Sequence, residues 1–169
     1  MKKKLQPFVY ADKSKCIGCR ACEVACSSVH SGKSGQTVGS VQGEIMPRLF
    51  FVRTEKEEMP VQCHHCELAP CLQSCASGAI QILEQRVIVD EALCSGCKSC
   101  VVACPFGVIE ILQAKSKNGF AGKCDLCRQR EEGPACVEVC SVQALRCIDP
   151  IAEARQKRTS AVQALTLLS

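Results

Sequence analysis

Short apolar runs separated by polar breaks recur along the chain, and they predict short β-strands. Residues 79–83 and 87–89 are two such runs, with the polar residues 84–86 between them. This pattern predicts a β-hairpin. Earlier in the chain, a Gly- and Ser-rich stretch at 31–43 precedes the largely apolar residues 47–52. That order predicts a mobile loop followed by a strand.

The C-terminal segment has a different pattern, which predicts a helix. Asp149-Pro150 provides a good cap and first helical residue, and residues 151–168 contain no helix breaker. Three apolar residues of this segment share one stripe: Val162, Leu165 and Leu168. We expect the helix either to dock on a partner or a second copy of the chain, or to cover the chain's own core.

Cysteine occupies 17 of the 169 positions, and sixteen of these cysteines form four groups with related spacing. Two groups follow C-x2-C-x2-C-x3-C, whereas the second group widens its middle gap to four residues and the fourth widens it to eight. The groups are Cys16/Cys19/Cys22/Cys26, Cys63/Cys66/Cys71/Cys75, Cys94/Cys97/Cys100/Cys104 and Cys124/Cys127/Cys136/Cys140.

Apolar positions also repeat after the groups. Pairs of residues lie five and seven positions beyond the last cysteine of three groups, which predicts a strand with one buried face after each. The pairs are Ile80 and Ile82, Ile109 and Ile111, and Leu145 and Cys147. The leftover Cys147 therefore takes a position that isoleucine holds elsewhere, and we interpret it as a small core residue.

This cysteine content indicates either disulfides or cysteine-bound metal. The first seven residues contain three lysines and no long apolar stretch, so we expect no export signal and a cytoplasmic protein. A reducing cytoplasm and an odd number of thiols both disfavour disulfides. Thiolates at every third residue can instead bind three corners of an iron–sulfur cubane, with backbone N–H groups directed at the sulfurs.

The fourth cysteine of each group follows the third by four residues, about one helical turn. A short helix would carry it toward a neighbouring cluster, as in the cross-ligation of two-cluster bacterial ferredoxins. We therefore predict four [4Fe–4S] clusters on sixteen cysteines.

Structural zinc is the main alternative, because paired C-x2-C units commonly bind it and the basic residues would then form a candidate nucleic-acid surface. Repeated sets of three closely spaced cysteines suit a cubane better. The formal charge of +4 is spread over short basic groups, and four clusters of about −2 each would change it to about −4. We expect no nucleic-acid partner. We also expect no direct membrane insertion, since no apolar run approaches about 18 residues.

The predicted hairpin joins the second and third groups, as in a two-cluster ferredoxin, so these groups form an inner unit. The first and fourth groups then form an outer unit into which the inner one is inserted. The predicted fold class is α+β, with short strands and helices in each unit. The predicted boundaries are 8–30 and 118–149 for the outer unit, 61–114 for the inner unit, 31–60 for an insertion loop and strand, and 150–169 for the C-terminal helix.

The four groups, with Cys104-Pro105, Lys123–Cys127 and Gly133–Cys136, resemble the four-cluster ferredoxin-like subunits of molybdopterin oxidoreductase systems over residues 8–149. Three further segments resemble the electron-transfer subunits of formate hydrogenlyase and of hydrogen-dependent carbon dioxide reductase: Lys15–Arg20, Met46–Leu49 and Cys63–Glu67.

The resemblance implies that each cluster takes three cysteines from one group and a fourth from another. The implied sets are Cys16, Cys19, Cys22 and Cys140 (cluster 1); Cys63, Cys66, Cys71 and Cys104 (cluster 2); Cys94, Cys97, Cys100 and Cys75 (cluster 3); and Cys124, Cys127, Cys136 and Cys26 (cluster 4).

Residues beside the cysteines set the environment of each cluster. Three of them replace a proline that the family usually has after the fourth cysteine: Ser27, Ala76 and Ser141. Only Pro105 remains, so we expect cluster shielding and potential to be affected, but not ligation. His64 and His65 could tune a potential or couple to protons, or could pack at the surface or around a cluster. His30 is interpreted in the same way.

The resemblance implies a non-catalytic subunit that transfers electrons between a molybdenum or tungsten formate dehydrogenase-type subunit and a hydrogenase. Saturated cysteine ligation would leave no open position on iron for a substrate, and the sequence has no Ser/His/Asp set or phosphate-binding loop. A freestanding polyferredoxin or an iron–sulfur maturation helper is the alternative. Another ferredoxin-like subunit, or a second copy bound through the C-terminal helix, is a further candidate partner.

Overall fold

The computed structural model describes residues 5–32, 36–113 and 119–166. In these ranges the chain forms eight short strands and five helices, so the predicted mixture of helix and strand is confirmed. In chain order they are β1 (Phe8–Ala11), α1 (Ala21–Ser31), β2 (Leu49–Arg53), β3 (Glu58–Gln62), α2 (Pro70–Gln73), β4 (Ile80–Leu83), β5 (Arg86–Val89), α3 (Ser99–Ala103), β6 (Glu110–Leu112), β7 (Phe120–Gly122), α4 (Ala135–Glu138), β8 (Leu145–Ile148) and α5 (Pro150–Thr166).

The strands pair as four antiparallel two-stranded ribbons. β1 pairs with β8, which brings the two ends of the cysteine-rich region together, and β4 pairs with β5. The other two ribbons are β2–β3 and β6–β7. Isolated two-stranded ribbons are marginally stable in water, so these depend on what they pack against.

The predicted hairpin between the second and third cysteine groups is confirmed as β4–β5. Its two-residue turn consists of Glu84 and Gln85, with φ values of 50° and 61°. Both residues at positive φ match the type I′ turn, whose twist suits a tight hairpin even though neither residue is glycine.

The strand predicted from residues 47–52 is confirmed as β2, but the sequence analysis missed β3. β3 runs across the predicted boundary between residues 60 and 61 because it pairs with β2 over its full length. Pro60 interrupts its apolar pattern, and proline lowers the strand propensity of a segment.

Two buried clusters form the interior, and cysteines are part of both. The first contains residues from both ends of the chain, and the second comes from the middle. The buried members of the first are Val9, Ala11, Cys26, Leu49, Leu126, Cys136 and Leu145. Those of the second are Ala69, Cys71, Ile80, Val87, Cys100, Ile109 and Ala121.

Helix α1 continues past the fourth cysteine of its group, whereas α3 ends before Cys104. Pro105 cannot continue α3, and it also disfavours helical backbone at the residue before it. Ser27 occupies the equivalent place in α1, so the helix extends to Ser31 and ends at Gly32, whose φ is 69°.

The predicted C-terminal helix is confirmed as α5, and Asp149 caps it. The Asp149 carboxylate accepts hydrogen bonds from the N–H groups of Ile151 (2.9 Å) and Ala152 (3.2 Å). No described residue of α5 is buried, and Val162 and Leu165 are 63% and 67% exposed. Of the two alternatives given for this helix, the one in which it covers the chain's own core is therefore wrong. Leu168, the third residue of the predicted stripe, lies outside the described residues.

The strands predicted after three cysteine groups are confirmed as β4, β6 and β8, but the second apolar position is exposed in β4 and β8. Ile80 and Leu145 are buried, whereas Ile82 is 49% exposed and Cys147 is also exposed; Ile111 in β6 is half-buried and packs against the second cluster. The interpretation of Cys147 as a core residue is wrong, because the buried interior covers only the first residue of β8.

Two glycines at positive φ give a test of how tightly the β6–β7 ribbon is packed. A Cβ on Gly119 (φ +64°) would lie 2.6 Å from the backbone oxygen of Leu112, whereas a Cβ on Gly78 (φ +67°) would meet nothing within 4 Å. We expect Gly78→Ala to lower the free energy of unfolding by about 1 kcal/mol. Gly119→Ala should cost about 1–3 kcal/mol more, because the backbone must move. Anoxic denaturant titration measures both, and equal losses would contradict the packing argument.

Candidate iron–sulfur cluster sites

Three small cavities are each lined by four cysteines, three from one group and one from another. The lining cysteines are Cys16, Cys19, Cys22 and Cys140 in site 1, Cys63, Cys66, Cys71 and Cys104 in site 2, and Cys75, Cys94, Cys97 and Cys100 in site 3. The structure thus brings together the residues that the family resemblance implies for each of these three sets.

The remaining four cysteines of the groups also lie near one another, and we refer to them as site 4. Cys26 and Cys136 belong to the same buried cluster, and Cys124 packs against it. Cys127 and Cys26 are both close enough to Cys136 for their charges to act on its thiol. Site 4 therefore combines three cysteines of the fourth group with Cys26 from α1.

Each C-x2-C loop has the same backbone conformation at the residue before its second cysteine. That residue is left-handed in all four groups: Gly18 (φ 68°), His65 (φ 46°), Gly96 (φ 68°) and Leu126 (φ 59°). For His65 and Leu126 this conformation costs about 1–2 kcal/mol relative to glycine. Their N–H groups donate to the sulfurs of Cys63 (3.3 Å) and Cys124 (3.4 Å). The strained turn directs backbone donors at sulfur.

Strands and loops supply further N–H donors to cysteine sulfurs. Ala121 in β7 donates to Cys94 Sγ at 3.4 Å, and Ala144 donates to Cys140 Sγ at 3.2 Å. The backbone N–H of Arg48 donates to Cys26 Sγ at 3.2 Å. Donors of this kind stabilise thiolate charge, which is the form of cysteine that binds metal.

Burial opposes ionisation of the interior thiols when no cation is bound. Burial, helped by the charge of Glu23, raises the pKa of Cys22 to about 12. Burial also raises the pKa of Cys71 to about 11, although Lys123 opposes this. The pKa of Cys136 is raised further, by burial and then by Cys26. Burial thus favours the protonated form of these three thiols, and metal binding to them would release protons.

The histidines that the sequence analysis singled out pack inside the protein around the cysteine loops. The His64 ring stacks between Phe8 and Phe106, at centroid distances of 5.3 and 4.3 Å. His65 is 1% exposed, and its Nδ1 accepts a hydrogen bond from the N–H of Val87 at 3.1 Å. Burial, together with the charge of Lys123, lowers the pKa of His65 to about 3.

A charged network beside site 4 was not found by sequence reasoning. His30 lies 3.0 Å from Asp125 Oδ1 and 2.8 Å from the backbone oxygen of Cys26, and Arg48 lies 3.4 Å from Asp125 Oδ2. Burial lowers the pKa of His30, but the hydrogen bonds to Asp125 and Cys26 outweigh it and raise the pKa to about 9. Asp125 lies 77 positions after Arg48 and 95 positions after His30. No local sequence pattern could therefore have indicated the network.

The cysteines of the sites differ in exposure. Cys19 of site 1 and Cys97 of site 3 are exposed, whereas the other fourteen are buried or half-buried. A large apolar side chain lines the same cavity as Cys19, that of Ile17, which is 62% exposed. Sites 1 and 3 therefore reach the surface of the protein.

The donor chemistry of the sites fits [4Fe–4S] clusters. Four cysteines line one cavity in each of sites 1, 2 and 3, and backbone N–H groups are directed at several of their sulfurs. Such clusters take four thiolates and are tuned by hydrogen bonds to sulfur. Within the described ranges, no helix is long and apolar enough to cross a membrane.

Several proteins of Escherichia coli are similar to this chain. AegA is 44% identical over 149 residues, which cover 86% of this chain but only 22% of AegA. The electron transport protein HydN is 41% identical over 155 residues, covering 84% of this chain and 87% of HydN. Formate hydrogenlyase subunit 2 is 37% identical over 173 residues, covering 84% of this chain and 81% of that subunit. The chain therefore spans less than a quarter of AegA and most of the other two.

The model of one protein family matches more than half of the sequence. It describes a 4Fe-4S dicluster domain and covers residues 54–149, which include all of sites 2 and 3. Together with the extent of the similarity to HydN, this match shows that the chain belongs to the 4Fe-4S dicluster domain family.

Proposed function

We propose that this protein binds four [4Fe–4S] clusters and transfers electrons between redox subunits. The observation that carries the proposal is the convergence of four cysteines from two different groups on each of three small cavities. Site 4 completes the set, with Cys26, Cys124, Cys127 and Cys136 as its ligands. A bound cluster accepts and gives one electron at a time.

We propose that the chain consists of two nested ferredoxin-like units. Sites 1 and 4 belong to the outer unit, because β1 pairs with β8 and α1 packs on α4. Sites 2 and 3 belong to the inner unit, in which α2 packs on α3 next to the β4–β5 ribbon. The units meet where the charge of Cys63 acts on the Cys124 thiol, so site 2 adjoins site 4. The electron route then follows the order of sites 1, 4, 2 and 3.

The exposed cysteines mark the ends of this route. Cys19 belongs to site 1 and Cys97 to site 3. An electron donor docked at one end and an acceptor at the other would each reach a site directly. The protein is in this role a non-catalytic subunit.

We infer that its partners are a formate dehydrogenase-type molybdenum or tungsten subunit and a hydrogenase. The similarity to formate hydrogenlyase subunit 2 and to HydN supports this context. The exposed helix α5 would be available to another ferredoxin-like subunit or to a second copy of the chain.

Iron and sulfide quantitation with redox-titrated EPR tests cluster binding. Anoxically purified protein is expected to contain about sixteen irons per chain and to show four one-electron [4Fe–4S] centres. Zinc in place of iron, with no visible absorption, would contradict the proposal. A content near eight irons would restrict cluster binding to two of the sites.

Size-exclusion chromatography of an extract from the native host tests the partners. Comigration with a formate dehydrogenase-type enzyme or a hydrogenase is expected. Elution alone at the monomer position would instead favour a freestanding polyferredoxin or a cluster-maturation helper.

A further inference from the structure

Lys123 has an unusual position for a lysine, because its side chain is only 2% exposed. It lies one residue before Cys124, the first cysteine of site 4. Its ammonium group donates hydrogen bonds to the backbone oxygens of Cys124 (2.9 Å) and Val87. A lysine is rarely buried to this extent unless its charge is compensated.

The contact with Val87 joins the two units proposed above. Val87 is in β5, whose outer edge has no strand partner in its ribbon. Its N–H donates to His65 beside site 2, and its carbonyl accepts from Lys123 beside site 4. The side chains of His65 and Lys123, which lie in or beside two different cysteine groups, therefore satisfy the backbone N–H and C=O of Val87 on the unpaired edge of β5.

No carboxylate pairs with Lys123 among the residues that the structure describes. Asp125 is close in sequence, but its two oxygens contact His30 and Arg48 instead. Two neutral carbonyls satisfy the ammonium's hydrogen bonds without balancing its charge, and an unbalanced buried charge is strongly unfavourable. The compensating negative charge must have another source.

The cysteines around Lys123 provide that source when clusters are bound. Lys123 is close enough to Cys66 and Cys71 of site 2 for its charge to act on their thiols. On its other side is Cys124 of site 4, which itself neighbours Cys63 of site 2. A [4Fe–4S] cluster with four thiolates carries about −2 when oxidised and gains one more negative charge on reduction.

We propose that Lys123 is a built-in counter-cation shared by the clusters of sites 2 and 4, and that it raises the reduction potential of both. This inference rests on the proposed function, since it requires clusters at these two sites. A positive charge at low effective dielectric stabilises the reduced, more negative state. The two central positions of the route therefore hold an electron more readily than they would without Lys123.

Three substitutions of Lys123 and one matched control test this role. Lys123→Met removes the charge and the donors, Lys123→Gln removes the charge but keeps N–H donors, and Lys123→Arg keeps the charge. Lys15→Met is the control, because Lys15 also precedes the first cysteine of a group but is exposed. Iron content and EPR-monitored redox titration are measured for each protein, after the wild-type chain has been shown to hold four clusters.

We expect Lys123→Met and Lys123→Gln to retain iron. Two of the four reduction equilibria should shift at least tenfold toward the oxidised state, which corresponds to a drop in reduction potential of about 59 mV for a one-electron couple. Lys123→Arg and Lys15→Met should shift none of them by that amount. Failure of the wild-type chain to hold four clusters would refute the proposed function instead, before any variant is compared.

Unchanged potentials in an iron-loaded neutral variant would overturn the proposal. If both neutral variants lose iron while Lys123→Arg keeps it, the charge is required for cluster retention, as a counter-cation predicts. Loss of iron from Lys123→Arg as well would assign Lys123 a packing role and would also overturn the proposal.

Discussion

Removal of iron by a chelator under anoxic conditions is expected to unfold the chain and abolish its cooperative unfolding transition. The expected loss is the whole free energy of unfolding of a domain, typically about 5–15 kcal/mol. The sequence has no Trp, one Tyr and five Phe, so few large side chains fill the interior. Both buried clusters instead include cysteines. Bonds to a cluster would therefore supply much of the folding free energy.

Circular dichroism recorded during chelation measures this effect, and α5 gives an internal reference because none of its described residues is buried. Re-addition of ferrous iron and sulfide should restore the native spectrum and the transition. Native circular dichroism after complete iron removal would contradict the expectation and would show that the apo chain folds on its own.

The exchange of fourth cysteines between groups is expected to appear in the iron content of paired alanine variants. Cys140 lines site 1 with Cys16, although it belongs to the same group as Cys124. Loss of both ligands from one site should remove one cluster, whereas loss of ligands from two sites should remove two. We therefore expect Cys16→Ala/Cys140→Ala to lose about four irons and Cys124→Ala/Cys140→Ala to lose about eight.

An inner pair of variants repeats the comparison, in case loss of two outer clusters unfolds the chain. Cys75 lines site 3 with Cys94, but belongs to the same group as Cys63. Cys75→Ala/Cys94→Ala should lose about four irons and Cys63→Ala/Cys75→Ala about eight. Cys147→Ala is the control, since Cys147 is exposed and lines none of the three cysteine cavities. The reverse order of losses would mean that each group keeps its own fourth cysteine.

Local features were well predicted from the sequence because short-range sterics decide them. The β4–β5 hairpin and the cap of α5 depend on neighbouring residues, and both were found at the expected positions. The position of Cys147 was not, because burial of a strand depends on how far the interior extends along it. The repeated sequence pattern gave the position of Cys147 in its strand, but it carried no information about how far the buried interior extends along that strand.

The pairing of the ribbons was also beyond the reach of the sequence pattern. β2 pairs with β3 and β6 pairs with β7, so both ribbons cross the boundaries that the spacing of the groups indicated. Strand pairing depends on which edges remain free after the helices and cysteine loops have packed. Pro60 within β3 further obscured that strand.

By itself, the sequence determined which ligand atoms this protein offers, namely the sulfurs of its four cysteine groups. Cysteine spacing sets which sulfurs a short loop can direct at one point, and that constraint is local. Only the tertiary structure decided that Lys123 is buried beside Cys124, that β2 pairs with β3 and β6 with β7, and that α5 is exposed. Those outcomes follow from contacts between residues far apart in the chain, whose burial and charge balance are settled only when the whole chain packs.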